Sequence, residues 1–291
     1  MFDYNNFCKI KEYNSSWIGP GEREFCLLPT TLNKNSYYDD QGYLITDSVG
    51  DLRSINKKID FTYKINKHGF RSNHFKPVDS EKITILTAGC SHSFGEALPE
   101  ELRWQNFLLK SLKYSNLEWF DVSSMGASFR LVTRNVISFI RNYGKPNYVF
   151  IVFPDVARDF MFNDKENKFN NVNSNTRHII KQKEHNIPQN FIDYTLSFNY
   201  YDALMKAIEY IWYLEEFCKT LNIKLYWTSW DNGLEEIFKN LNFKNFVEQK
   251  WQHGLNIDNL EYWDMANDNL HRGSSWTSWQ GKSFSEVMLN D

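Results

Sequence analysis

The chain has 291 residues and a formal charge of −3, with 42% hydrophobic, 24% charged and 17% aromatic residues. That length holds one large α/β domain or two small ones, with a core that needs no staple. The composition excludes a disordered chain, collagen and a coiled coil, and the near-neutral charge argues against a dedicated nucleic-acid binder, which would carry a basic face.

No run of 18 apolar residues occurs, so no membrane span is expected. The start, MFDYNNFCKI, carries an acid at position 3 and no apolar core of signal-peptide length, so no secretion signal is read there. Cys8, Cys26, Cys90 and Cys218 lie far apart, with no CxxC pair or Cys/His cluster. No metal is expected, and a reduced, cytosolically made protein is the simplest reading.

Residues 1 to about 75 are polar and aromatic with few periodic runs, and contain turn signals such as Gly19-Pro20-Gly21 and Asp39-Asp40-Gln41-Gly42. They read as a β-rich or irregular N-terminal extension. From about residue 76 the pattern changes. ITILTAG (83–89) is apolar and β-branched without alternation, as in a strand buried on both faces of a parallel sheet. ELRWQNFLLKSLK, with Leu102, Phe107, Leu108 and Leu112 near one face, predicts a helix. LEWFDV (117–122) predicts a short strand, about 129–142 a helix, and YVFIVF (148–153) a wholly apolar strand. Residues 161–190 are rich in Asn, Lys and His and read as a surface insertion. A helix is expected over about 200–220, where Leu204, Ile208, Ile211, Trp212 and Leu214 recur near a 3.6 period. KLYWTSW (224–230) predicts a strand, 233–241 a short helix, and about 276–289 a final helix after a loop. Strands alternating with helices imply a mostly parallel sheet covered on both faces. In such sheets the site lies at the carboxyl ends of the strands.

Candidate chemistry is therefore sought in the loop after each strand. Ala88-Gly89-Cys90-Ser91-His92-Ser93-Phe94-Gly95 comes after the first. A serine between a buried strand and a helix points its hydroxyl into the crevice, and its own amide can help bind an oxyanion; alternatively, Ser91 or Ser93 caps the helix. Ser123-Ser124-Met125-Gly126-Ala127-Ser128 comes after the second strand. Gly126 either lets an amide approach a ligand closely or belongs to a plain helix start. Phe153-Pro154-Asp155 closes the third, with Arg158 just beyond. Asp155 can cap a turn, and Arg158 either meets developing negative charge or forms a surface ion pair. Near the C-terminus, Asp268 stands three residues before His271. Such an Asp can hold the ring Nδ1–H and leave Nε2 as a base. His92, beside Ser91, is a rival base, although adjacent side chains usually diverge.

Taken in order, Gly89-Cys90-Ser91, Gly126 in SSMGAS and Asp268-x-x-His271 resemble the SGNH hydrolases, also called the GDSL esterase/lipase family. The resemblance covers roughly 76–291. Upstream, Ile65-Asn66-Lys67-His68-Gly69-Phe70-Arg71 resembles an Asn-x-x-Gly-(Phe/Tyr)-Arg element that precedes the domain in some bacterial and phage-type members, and FGEALPEELRW resembles their continuation. The resemblance implies a three-layer α/β/α sandwich with a mostly parallel, flavodoxin-like sheet. It also implies a Ser91–His271–Asp268 triad, an oxyanion hole from the amides of Ser91 and Gly126, and no cofactor. Two positions depart from the family pattern. Cys90 replaces an Asp that is not part of the triad. Pro154, in Val152-Phe153-Pro154-Asp155, replaces an oxyanion-donating Asn; loss of one such donor costs on the order of 10²–10³ in rate. Arg158, with Asp155 and His92, is the candidate for compensating contacts to oxyanion or substrate.

The expected activity is removal of a small acyl group, acetyl on a glycan above all, because no long apolar lid is evident. Trp251, Trp263, Trp276 and Trp279 bracket the Asp268–His271 segment, as sugar-facing rings or as core. The alternative is a weak or inactive protein on this scaffold that binds carbohydrate or serves in a virion. The partners implied are an acetylated glycan or other small-acyl ester, together with a second copy or a virion component, and the location cytoplasmic or virion-associated.

Overall fold

The computed structural model describes residues 37–47, 61–112, 114–163, 168–173, 189–248 and 274–290. Three short strands, β1 (Tyr37–Tyr38), β2 (Leu44–Asp47) and β3 (Thr62–Ile65), form an antiparallel sheet. Strand β3 alternates exposed and buried positions, the pattern of a sheet with one face packed and one face wet. Its buried Tyr63 and Ile65 meet Leu44, Phe94 and Met125.

The central sheet is built from β4 (Ile83–Gly89), β5 (Leu117–Asp121), β6 (Tyr148–Phe153) and β9 (Lys224–Ser229). Its order is β5-β4-β6-β9, and every pair is parallel. Between these strands come α1 (Ser91–Phe94), α2 (Trp104–Leu112) and α3 (Phe129–Tyr143). After β6 come β7 (Arg158–Asn163), β8 (Lys168–Asn173), α4 (Gln189–Leu196) and α5 (Tyr200–Thr220). After β9 come α6 (Asn232–Asn240) and α7 (Ser274–Leu289).

The period-2 geometry of strands sorts the core into two layers. Leu86, Val149, Ile151 and Phe153 face α3, α5 and α6, where Val136, Phe139, Ile211, Leu214 and Phe238 await them. Ile85, Phe150 and Val152 face the other way, against Trp104 and Leu108 of α2 and Trp276 and Phe284 of α7. The result is a three-layer α/β/α sandwich. Its strand order corresponds to the first four strands of the flavodoxin-like 2-1-3-4-5 arrangement. The chain leaves β4 toward β5 and then crosses to β6 on the other side. The switch point, where such sheets open a crevice, therefore lies between the carboxyl ends of β4 and β6.

Helix starts are set by side-chain chemistry. The Ser128 hydroxyl accepts from Leu131 N (3.3 Å), Asn199 Oδ1 from Tyr201 N (2.9 Å), and Asp231 Oδ1 from Gly233 N (2.9 Å), each supplying a partner that the first helical turn lacks. Phe70 and Phe75 are buried in the same core as α3 and α5. Among the described residues no helix is long and apolar enough to cross a membrane.

The structure adds detail to one expectation and corrects another. The stretch read as an insertion from 161 begins as a two-stranded antiparallel hairpin pairing Arg158–Asn163 with Lys168–Asn173, and Gln189–Leu196 is helical. Phe160, Phe162, Phe169 and Val172 are strand-forming residues, but the interleaved asparagines mask their alternation; residues 164–167 and 174–188 of the stretch lie outside the described residues. The helix expected from Glu101 begins at Trp104, after a 3-10 turn at Glu100–Leu102 that comes directly after Pro99.

Helices α2 and α7 approach closely at Gly281, where an added Cβ would lie 2.4 Å from the Trp104 carbonyl oxygen and 2.7 Å from Phe107 Cβ. Gly281→Ala is expected to push the helices apart and to destabilise the fold by roughly 1–3 kcal/mol. Circular-dichroism melting should show a midpoint several degrees below wild type.

Candidate functional site

Strand β4 ends at Gly89, which pairs with Val152 across the switch point. No other residue fits there: a Cβ on Gly89 would sit 2.1 Å from Ser93 Oγ and 2.7 Å from the Val152 carbonyl oxygen. Cys90 is next, in extended conformation, and starts α1 without a side-chain cap. It is fully buried in the core beneath α3 and α5, so it faces away from the crevice. Its replacement of the family Asp therefore falls on a packing position.

The two candidate serines of this turn have different environments. Ser93 is committed. Its Oγ accepts from Trp104 Nε1 (3.1 Å), and its carbonyl accepts from Gln105 Nε2 (2.7 Å) and Arg103 Nη2 (3.2 Å). Ser91 is the first residue of α1 and 4% exposed. Among the described residues no group is found bonded to its hydroxyl, while its carbonyl accepts from Gly95 N (3.0 Å) and Glu96 N (3.1 Å). The structure thus separates a serine bonded at its hydroxyl from one whose hydroxyl has no partner among the described residues.

The segment after β5 comes alongside. Ser124 N donates to the Gly89 carbonyl at 3.0 Å, and Gly126 adopts φ +68°, a conformation that favours glycine. Met125 packs beside Phe94. After β6, Pro154 is buried and offers no N–H. Asp155 Oδ2 accepts from Arg158 Nε at 3.0 Å, and Asp155 Oδ1 accepts from Ala157 N at 2.8 Å. Of the two alternatives for Arg158, the ion pair is what the structure displays; its guanidinium also lies over Trp230, 5.6 Å from the ring centre. His92 sits with its ring 4.7 Å from Trp230 and 5.9 Å from Trp276. Trp276 is 1% exposed and belongs to the core beneath α2, so it is not a sugar-facing ring. Asp268 and His271, like Trp251 and Trp263, lie outside the described residues.

Beneath the Ser91 turn lies a buried charge network that the motifs alone do not reveal. Arg103 ion-pairs with Asp121 at the end of β5, both side chains fully buried. Arg103 Nη1 donates to Glu100 Oε1 (3.0 Å) and to the Arg71 carbonyl (3.0 Å). Arg71 Nε lies 2.9 Å from Glu100 Oε2 as an ion pair, and its Nη1 donates to the carbonyls of Phe94 (3.3 Å) and Gly95 (2.7 Å). Asp121 Oδ1 accepts from the hydroxyls of Thr87 (2.8 Å) and Ser123 (2.7 Å). The turn after β4 and the segment after β5 are thereby tied to one set of charges. Burial opposes the charge on Arg103, yet Glu100 and Asp121 hold its pKa above the ordinary value. Burial, and then Arg103, push Arg71 down to about 10. Burial pushes the Asp121 carboxyl up, against the pull of Arg103.

The pattern residues of the Asn66–Arg71 element each have a visible duty. Asn66 Oδ1 accepts from His68 N and Phe70 N, both at 3.0 Å, and Asn66 Nδ2 donates to the Asn73 carbonyl at 2.9 Å. Gly69 takes φ +84° to close the loop, and Phe70 anchors it in the core. Signals for the network exist in the sequence: Asp121 interrupts an apolar strand, and Arg103 precedes an apolar helix. Neither signal names its partner.

A scan against protein-family models finds no match, and neither does a search of curated proteins. Solved structures give distant likenesses. The psychrotrophic esterase EstA from a Pseudoalteromonas species is 14% identical, with a TM-score of 0.43 over 72% of this chain and 100% of that one. A member of the lipolytic G-D-S-L family from Veillonella parvula is 12% identical, with a TM-score of 0.40 over 72% of this chain and 99% of that one. Likenesses this remote leave the fold to be read from the sheet itself.

The contrast between the serines and the setting of Glu100 each lead to an expected outcome. Ser93→Ala removes the acceptor of a buried indole N–H and is expected to destabilise by about 1–3 kcal/mol, whereas Ser91→Ala should melt close to wild type. Although burial acts against it, Arg103 and then Arg71 lower the Glu100 pKa from its ordinary 4.5. The stability that Glu100 adds is therefore present above about pH 4.5 and lost as pH falls through the lower folded value. In melting curves against pH, the gap between wild type and Glu100→Gln should be full at about pH 6–7 and close in acid.

Proposed function

We propose that the protein is a serine esterase of SGNH type that removes a small acyl group, acetyl from a carbohydrate above all, with Ser91 as nucleophile. The observation that carries this reading is the position of Ser91 at the switch point, on the first turn after β4, with its hydroxyl unbonded among the described residues, while Ser93 two residues on is bonded at both its hydroxyl and its carbonyl. Gly126 supports it, since the segment that bears it is pinned to Gly89 by Ser124 N. The C-terminal chain supports it too. Trp276 of α7 lies against His92, and His271 stands only three residues before Ser274, a span of at most about 11 Å.

In this mechanism Ser91 Oγ attacks the ester carbonyl while His271 Nε2 takes its proton. The amides of Ser91 and Gly126 receive the charge that develops on the carbonyl oxygen. The C–O bond to the leaving group breaks as His271 returns the proton to the departing alkoxide. Water, deprotonated by His271, then hydrolyses the acyl-enzyme and regenerates Ser91. Asp268 orients His271 and balances its transient charge.

Pro154 motivates a second reading, a weak or inactive protein on this scaffold that binds carbohydrate or serves in a virion. The position that the resemblance gives to an oxyanion-donating Asn has neither an N–H nor a side-chain donor. The nearby Arg158 is engaged with Asp155.

Hydrolysis of p-nitrophenyl acetate and of longer acyl esters, with labelling by a serine-directed phosphonate, separates the two. The esterase reading expects acetyl turnover that falls at least about 10³-fold in both Ser91→Ala and His271→Ala, and phosphonate labelling that Ser91→Ala abolishes. A folded wild-type protein that neither turns over an ester nor takes the label sinks it. Glycan binding that survives Ser91→Ala would then support the second reading.

A further inference from the structure

We infer that Arg71 is a positioning residue for Ser91: the Asn66–Arg71 loop carries a buried guanidinium into the back of the nucleophile turn and fixes the angle at which that turn presents Ser91 to the crevice. The inference rests on the esterase reading above.

Helix α1 has four residues, too few to satisfy the carbonyls at its own C-terminal end. Those carbonyls are taken largely by side chains brought from elsewhere. The Ser93 carbonyl accepts from Arg103 and Gln105. The carbonyls of Phe94 and Gly95 accept from Arg71, Gly95 also taking Leu98 N at 3.1 Å. A cation at this end opposes the negative pole of the short helix. The same turn places the Ser91 amide at its opposite end, facing the crevice.

Arg71 is itself buried and held at several points. It is 1% exposed, its guanidinium lies 4.6 Å from the Tyr63 ring centre, Glu100 pairs with its Nε, and its carbonyl accepts from Arg103. One nitrogen of the guanidinium, Nη1, thus reaches two consecutive carbonyls, while the planar group as a whole is held against the Tyr63 ring. It does so 20 residues upstream of the nucleophile, which makes part of the N-terminal segment a component of the active turn. Removing it frees the turn to tilt, and misplacement by about 1 Å can cost on the order of 10² in rate.

The test compares wild type, Arg71→Met and Arg71→Lys in the full chain. Melting and near-ultraviolet circular dichroism establish that each is folded at the assay temperature. Phosphonate labelling of Ser91 and p-nitrophenyl acetate kinetics are then measured. The expected result is a fall of at least about tenfold in kcat and in labelling rate for Arg71→Met, with KM within about twofold and a smaller fall for Arg71→Lys. A merely structural role would lower the melting temperature and leave kcat per folded molecule unchanged. If Arg71→Met does not fold, Arg71→Lys decides alone. Wild-type labelling and kcat in either folded variant overturn the inference while leaving the esterase reading intact. A wild type that takes no label overturns both.

Discussion

The architecture around the crevice depends on one buried pair, Arg103 with Asp121. Neither side chain touches solvent, and an ion pair in such a place is a weak source of net stability. Its worth lies in what it joins. Arg103 belongs to the approach to α2 and also donates to the Ser93 carbonyl; Asp121 closes β5 and also receives Ser123. The pair therefore spans the two chain segments that would have to cooperate around a carbonyl oxygen. Loss of either partner leaves an uncompensated buried charge, which costs about 3–5 kcal/mol. The network contains Arg71, Arg103, Glu100 and Asp121, so its formal charges cancel. That neutrality makes burial tolerable and lets rigid, charge-assisted bonds stand beneath a turn made mostly of small residues.

The sheet supplies the position and the network supplies the angle. A parallel sheet whose order reverses direction between β4 and β6 leaves a gap at its carboxyl edge, whatever the sequence of the loops. Gly89 lets the chain turn there without striking Val152 or Ser93. From that point an α-helical turn rotates successive side chains by about 100°. Ser91 and Ser93 therefore point to nearly opposite sides, and Ser93 is the one that meets Trp104. Two serines in one short motif serve different ends because helix geometry separates them.

This rotation also marks the limit of what the sequence makes legible. The strands β4, β6 and β9 are readable because both of their faces are buried and their apolar runs are unbroken. The helices α3 and α5 are readable from their period. A choice between Ser91 and Ser93 requires knowing which one Trp104 meets, and that depends on how α2 returns across the sheet. The Asn66–Arg71 element is visible as a pattern, but its target lies 23 and 24 residues away, and nothing local encodes the pairing. The hairpin at Arg158–Asn173 is hidden because polar asparagines fill strand positions whose pairing is supplied by backbone bonds. Cys90 shows the reverse: a departure that looks chemical in the sequence turns out to be packing, because the residue points into the core.

Phe153 ends β6 with its carbonyl accepting from Trp230 N (3.2 Å) and Ser229 Oγ (3.2 Å), so the backbone here is bound into the neighbouring strand before Pro154 begins. Arg158 is drawn to Asp155 and to the face of Trp230, and Trp230 in turn lies against His92. The edge of the crevice that lacks an amide donor is thus built from tilted ring contacts and one neutralised ion pair. On the esterase reading, an oxyanion hole limited to the amides of Ser91 and Gly126 would stabilise charge less than one with a third donor, by about 2.7–4 kcal/mol. An ester with a good leaving group, or an acyl group small enough to sit close to both amides, is the substrate for which two donors suffice. On the same reading, this aromatic wall would suit a flat sugar face better than a flexible acyl chain, in keeping with a proposed substrate that carries a short acyl group on a ring.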